Sequence, residues 1–259
     1  MSSWHLRGQD LIFLIFLLVG LICGLIDSSL GMGYGVTATS VLVSFGIAPA
    51  IASASIHTAE GIVDSVSAIS HWKLGNVQKR RFWRLMIPGV FGAVLGAYFL
   101  SWIALSAAKP FVAFILLGMG IIILFRSARK KIIIKTKLPE KLVPMLGLVA
   151  GFVDVSGGGG WGPLCTPIFI LGGSEPAKAV GTVEATEPFI SFAAILTFGI
   201  ILGFESFLWS IIIPIIIGGA ILTPVGAYLS KRIPGKMLGI LIGTVLIILN
   251  ARLLWMVFK

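Results

Sequence analysis

Long apolar stretches alternate with short polar ones along the whole chain. Runs close to a membrane crossing in length predict helices at about 9–30, 50–72, 85–104 and 109–126 in the first half. In the second half they predict helices at about 142–157, 177–202, 207–229 and 236–258. Two further runs, 34–47 and 162–173, are short. About 13 helical residues reach only about 20 Å, against a hydrocarbon core of about 30 Å. These runs predict half-helices, re-entrant segments or parts of broken helices. The glycines just before them are where the backbone can leave helical geometry.

The breaks themselves repeat. GLIDSSLGMGYG, Gly24 to Gly35, is matched by GFVDVSGGGGWG, Gly151 to Gly162, at an offset of 127 (Asp27 onto Asp154). The same offset carries Ser29 to Ser156, Tyr34 to Trp161, Pro49 to Pro176, Ser55 to Thr182 and Glu60 to Glu187. Gly96-Ala97-Tyr98 matches Gly226-Ala227-Tyr228 at an offset longer by three, 130. Two matched halves, each with an acid and a glycine break at membrane depth, point to a transporter site at the repeat interface. The expected fold class is an all-α polytopic membrane protein. It has two inverted-topology helical repeats with glycine-broken or re-entrant helices. Its expected parts are a first membrane repeat at 1–125, a basic cytoplasmic linker at 126–141 and a second membrane repeat at 142–259.

Composition strengthens the membrane reading. The chain is 57% hydrophobic and 12% charged, with a mean hydropathy of +1.05, and a soluble domain could not cover this much apolar surface. Leu11 to Gly24 lacks a small-x-small cleavage site before Asp27, so it reads as the first helix and not as a signal peptide. The net charge of +10 lies mostly between helices and reflects topology, not a nucleic-acid patch. Stretch 73–84 holds Lys73, Lys79, Arg80, Arg81 and Arg84; stretch 126–141 holds Arg126, Arg129, Lys130, Lys131, Lys135, Lys137 and Lys141. Both are expected to be cytoplasmic, in a multi-pass plasma-membrane protein. The bias reverses in the second half: 200–207 has no basic residue, whereas 230–236 has Lys231, Arg232 and Lys236. Inverted repeats produce that reversal. Small-residue faces such as Gly89, Gly92, Gly96, Gly218 and Gly219 allow close helix packing, and a homodimer through such faces is one expectation. Cys23 and Cys165 stand in apolar segments without ligand spacing, and no metal site or cofactor is expected.

The candidate chemistry is acidic. Six of the ten acids, Asp27, Glu60, Asp64, Asp154, Glu184 and Glu187, sit inside apolar segments. A charge at such depth costs about 2.5–3.5 kcal/mol on insertion scales. Protonation is the natural way to bear it, because no comparable set of in-membrane lysines or arginines exists; Lys178 is the nearest. Asp27, His57, Glu60, Asp154, Glu184 and Glu187 are therefore the candidates for proton coupling or gating. Against this, Asp27 and Asp154 could cap broken helix ends, and His57 could be satisfied by a neighbour. Asp64 has a serine, Ser191, as its repeat mate and is set aside. The substrate candidates are Ser28, Ser29, Gly31, Gly33, Tyr34, Ser156, Gly157, Gly158, Gly159, Gly160 and Trp161. Side-chain-free N–H groups can cradle an anion at a helix start, and hydroxyls can add donors. Tight crossing of segments is the competing use for these glycines. No GxxxxGK[ST] nucleotide loop is present.

The paired motifs G-x-x-D-x-x-x-G-x-G with an aromatic-Gly end, each followed by Pro-Ala and a glutamate, resemble the TauE/SafE family of sulfite and organosulfonate exporters. GGGGWGP with TVEATEP is the more specific copy; the first departs in LGMGYG and HTAEG. The resemblance spans nearly the whole chain. It implies a secondary transporter, not an enzyme, exporting a small sulfur-containing anion such as sulfite, sulfoacetate or a related organosulfonate. Proton coupling by the buried acids would fit that activity. The partners are then the lipid bilayer and the anion, without nucleic acid. A carrier of sodium or divalent metal using the same carboxylates is the alternative, although no histidine-rich ligand set accompanies them. A membrane enzyme has less behind it, since no nucleophile, base and orienting group stand out.

Overall fold

The computed structural model describes residues 3–128, 138–230 and 236–259. Every regular element among them is helical. The first half contains α1 (Ser3–Leu30), α2 (Tyr34–Ser44), α3 (Pro49–Lys73), α4 (Lys79–Trp102) and α5 (Leu105–Ala128). The second contains α6 (Val143–Gly157), α7 (Trp161–Leu171), α8 (Pro176–Leu202), α9 (Trp209–Leu229) and α10 (Lys236–Phe258). Single 3-10 turns stand at Glu140–Leu142 and Phe204–Ser206. Five described helices are long and apolar enough to cross a membrane, in α1, α4, α5, α8 and α9. Polarity is arranged for lipid: Ile200, Trp102 and Phe91 face outward, while all six in-segment acids are buried.

The element boundaries depart from expectation in one instructive place. α4 begins at Lys79, not near 85, so Lys79, Arg80, Arg81 and Arg84 sit in its first turns. Four cations at a helix N-terminus oppose the macrodipole. Glu140 offsets this by pairing with Arg81 (Nε to Oε1 2.9 Å) and Arg84 (Nη1 to Oε2 3.4 Å). Pro88 and Pro214 lie inside α4 and α9. The basic positions 129–137 and Lys231 and Arg232 lie outside the described residues.

The main helix pairings are kept when the halves are exchanged. α1 packs on α9 as α6 packs on α4; α4 packs on α8 as α9 packs on α3; α3 meets α8 and α5 meets α10. Individual contacts obey the same exchange. The Gln78 N–H donates to Thr182 Oγ1 (2.9 Å), and the Leu208 N–H donates to Ser55 Oγ (3.0 Å). Ser55 lies near the start of α3 and Gln78 just after its end, so these two bonds make α3 and α8 antiparallel. Gly92 and Gly96 admit the backbone of α6 and Gly89 the ring of Trp161, while Gly218 and Gly226 admit α1 and Gly219 the side chains of Val63 and Tyr34. These small-residue faces are filled within the chain.

The short helices turn back. The Leu138 N–H donates to the Gly172 carbonyl (3.1 Å), and Arg81 holds both Glu140 and Ser174. The entry to α6 and the exit from α7 therefore meet at the same end of the molecule. α6 and α7 form a hairpin, with Gly158, Gly159 and Gly160 at its tip, all at positive φ. α1 and α2 are joined through the equivalent bend, with positive φ at Gly31 and Gly33. The two tips lie side by side. A Cβ at Gly31 would meet Thr166 Oγ1, and one at Gly158 would meet Thr39; Thr39 and Thr166 are themselves repeat mates.

Candidate functional site

Each hairpin tip is closed by its own aspartate. Asp27 Oδ1 accepts from the Tyr34 N–H at the start of α2 (3.3 Å), and Asp154 Oδ1 accepts from the Trp161 N–H at the start of α7 (2.9 Å). Helix starts leave N–H groups without intrahelical partners, and a carboxylate there also meets the positive dipole end. One oxygen of each aspartate is thus structural, as capping predicted. The second oxygen, Oδ2, is where the two tips part company.

At the second tip, Asp154 Oδ2 lies 3.2 Å from His57 Nε2. The imidazole is held from behind, its Nδ1–H donating to the Ser53 carbonyl at 2.8 Å, while Ser53 Oγ–H donates to the Val155 carbonyl. With Nδ1 carrying a hydrogen, the Asp154–His57 contact holds one further proton whichever partner bears it. Glu60 Oε2 lies 3.9 Å from the same Nε2. Its Oε1 rests on Gly35, where a Cβ would come within 2.6 Å.

At the first tip the residue equivalent to His57 is Glu184, and the one equivalent to Glu60 is Glu187. Asp27, Glu184 and Glu187 bring one oxygen each within 4.8 Å of one another. Glu60, Asp64 and Glu187 form a second such group, so Glu187 belongs to both. Ser67 Oγ–H donates to Glu184 Oε2 (2.7 Å). Asp27 Oδ2, Asp64 Oδ2, Glu184 Oε1 and Glu187 Oε2 are buried without a hydrogen-bond partner among the described residues, as are Tyr34 Oη and Ser191 Oγ. Two full charges 4.8 Å apart repel by about 3 kcal/mol even at an effective dielectric of about 20. Such a group of carboxyls persists only with protons or a cation among them.

The expected substrate-binding residues are occupied in another way. The hydroxyls of Ser28, Ser29 and Ser156 donate to carbonyls of their own helices, at Gly24, Ile26 and Phe152. Gly31, Gly158, Gly159 and Gly162 receive the opposite hairpin at van der Waals distance or closer, while Gly33, Gly157 and Gly160 meet side chains. Among the described residues, Trp161 and Tyr34 are the two largest fully buried side chains. The Trp161 Nε1–H donates to the Val183 carbonyl (3.2 Å), and its ring lies on Gly89, the mate of the Gly219 beside Tyr34 Oη. Asp64 is the residue that sequence reasoning set aside; it stands one turn from Glu60 on the same face of α3, and that spacing was the available signal. Ser53, Ser67 and Ser191 carried no signal of their own.

Comparison with known proteins places this arrangement. A family model, sulfite exporter TauE/SafE, matches residues 16–253. The chain belongs to the TauE/SafE family. A Bacillus subtilis (strain 168) relative named probable membrane transporter protein YtnM is 43% identical over 249 residues, covering 93% of this chain and 82% of that protein. A TauE/SafE protein is a membrane transporter, not an enzyme, and this chain is accordingly a multi-pass membrane transporter.

Proposed function

We propose that this TauE/SafE transporter exports a small sulfur-containing anion, such as sulfite, sulfoacetate or a related organosulfonate, with its movement coupled to protons. The observation behind this is the unpaired carboxyl group around Asp27, Glu184 and Glu187, set against the histidine-paired Asp154. Protonated, these carboxyls are neutral donors that can face an oxyanion; deprotonated, they repel it. Proton release thereby expels the anion, and proton uptake readies the site. Glu187, common to both carboxyl groups, passes the proton between them. Glu60 and His57 set the charge on the other side.

In this reading the two halves are inverted-topology repeats, 1–125 and 142–259, joined by the linker 126–141. The exchange-symmetric packing and the antiparallel α3 and α8 support it. The end carrying Arg81 is cytoplasmic, so α6 and α7 re-enter from the cytoplasm and α1 and α2 from the opposite side of a plasma membrane. Rocking of one hairpin against the other along the glycine seam would free the Ser28, Ser29 and Ser156 hydroxyls and the glycine N–H groups for the anion.

The test is sulfite efflux from proteoliposomes under an imposed pH gradient. Glu187→Gln should lose the gradient-driven component by about tenfold or more while still folding. Unchanged proton-linked efflux in that variant would remove Glu187 from the coupling. The two carboxyl groups sharing Glu187 also favour a second reading, a carrier of sodium or a divalent metal. Uptake of labelled cation without sulfite movement would select it.

A further inference from the structure

We propose that a pocket at the Arg81 end is a loading site for small, multiply charged oxyanions, placed to feed the export pathway; this rests on the anion-export reading above. The cavity measures about 550 Å³, and its charged lining is Lys79, Arg80, Arg81 and Lys178 against Glu140 and Glu175, with Ser174 beside them. That volume is in the range of small-molecule sites. Two long helices, α4 and α8, begin at its wall, and neither start carries a side-chain cap. Their dipoles add positive potential to that of the cations.

Arg81 is the strut and not the receptor. It lies mostly buried, bonded to Glu140 and Ser174, with its guanidinium 5.3 Å from the Phe169 ring centre. Arg81 and Glu140 cancel in charge and tie α4 to both ends of the α6–α7 hairpin. Lys178 pairs with Glu175 only loosely, at 3.8 Å, with both side chains at least half exposed. Such a pair is weak and leaves the lysine available to a stronger partner. Lys79 and Arg80 complete an excess of positive charge.

The repeat shows that this charge is not required by the fold. The matched bonds of Gln78 and Leu208 align 78 with 208, so Lys79, Arg80 and Arg81 correspond to Trp209, Ser210 and Ile211. Lys178 and Ser174 correspond to Ile51 and Ile47 at the other end. The same backbone thus carries a cationic pocket at one end and, at the matched positions of the other end, Trp209, Ser210, Ile211, Ile47 and Ile51 without a charge. A cationic concavity raises local anion concentration and speeds capture. An end without one captures the anion more slowly, so the Arg81 end is the face with the lower KM.

Binding of radiolabelled sulfite and sulfate to the purified full chain in zwitterionic detergent tests this directly. A triple variant, Lys79→Ala, Arg80→Ala and Lys178→Ala, leaves the Arg81–Glu140 strut in place. It should weaken oxyanion binding about tenfold and flatten its salt dependence. In proteoliposomes loaded through this end, KM for sulfite should rise by a similar factor with kcat unchanged. The charge-keeping variant Lys79→Arg, Lys178→Arg should bind like the native chain. Equal binding by the native chain and the triple variant overturns the proposal. So does a native chain that binds no free oxyanion but loses co-purified anionic phospholipid in the triple variant, which would assign the pocket to a lipid headgroup. If the native chain binds oxyanions through these residues yet moves no sulfite, the loading site stands and the export reading falls.

Discussion

The two hairpin tips share a backbone plan and differ in their chemistry. Both aspartates cap the following half-helix through one oxygen. Asp154 gives its other oxygen to His57, whereas Asp27 faces Glu184, the residue that stands where the repeat has that histidine. One exchanged residue turns a proton-sharing pair into a crowd of acids. The same frame occurs at both tips, and His57 at one against Glu184 at the other leaves one tip internally balanced and the other dependent on protons or a cation. The aromatic mates follow suit: the Trp161 N–H is bonded, and Tyr34 Oη has no partner among the described residues.

The sharpest way to test this contrast is at the bends. Gly159 has φ +141, and a Cβ there would run into the backbone of Gly35 and Val36. Its mate, Met32, already carries a side chain without positive φ. Gly159→Ala should cost upwards of about 3 kcal/mol, and Met32→Leu less than about 1.5 kcal/mol, read as thermal unfolding in detergent. Equal losses would mean that the two bends are built alike.

Next come the caps. Asp154→Ala removes the acceptor for the Trp161 N–H and the partner of His57 together, and should cost about 3–5 kcal/mol. Asp27→Ala removes a longer bond and also relieves the crowding of carboxyls, so it should cost about 1 kcal/mol or less. The same unfolding assay decides between them, and a larger loss for Asp27→Ala would reverse the assignment of the balanced and unbalanced tips. The aromatic pair gives the smallest effect. Trp161→Phe should cost about 2 kcal/mol through the lost hydrogen bond and the void left against Gly89. Tyr34→Phe should stay within about 0.5 kcal/mol. A marked loss for Tyr34→Phe would show that its hydroxyl is engaged.

Much of this architecture could be read from one-dimensional pattern. The helices, their approximate ends and the repeat offset follow from apolar run length and from two glycine–acid signatures, because lipid leaves the backbone few alternatives to helix. The start of α4 was misjudged because its first turns are strongly basic, and polarity looks like a loop unless a distant Glu140 is known to offset it. The acids were legible as a set, since charge in an apolar run is costly wherever it points. Asp64 was discounted because symmetry was asked of it, although the group it joins with Glu60 and Glu187 crosses between halves.

Sequence alone determined that the chain is a helical membrane protein with two matched glycine–acid signatures; composition and periodicity are local properties and survive without coordinates. Only the tertiary structure decided what the breaks are for. It folded α6 and α7 into a hairpin, set the glycines of one tip against the backbone of the other, and gave His57 to Asp154 across 97 residues of chain. Which carboxyl is paired and which is left to its own kind depends on angles between helices far apart in sequence, and no local pattern encodes those.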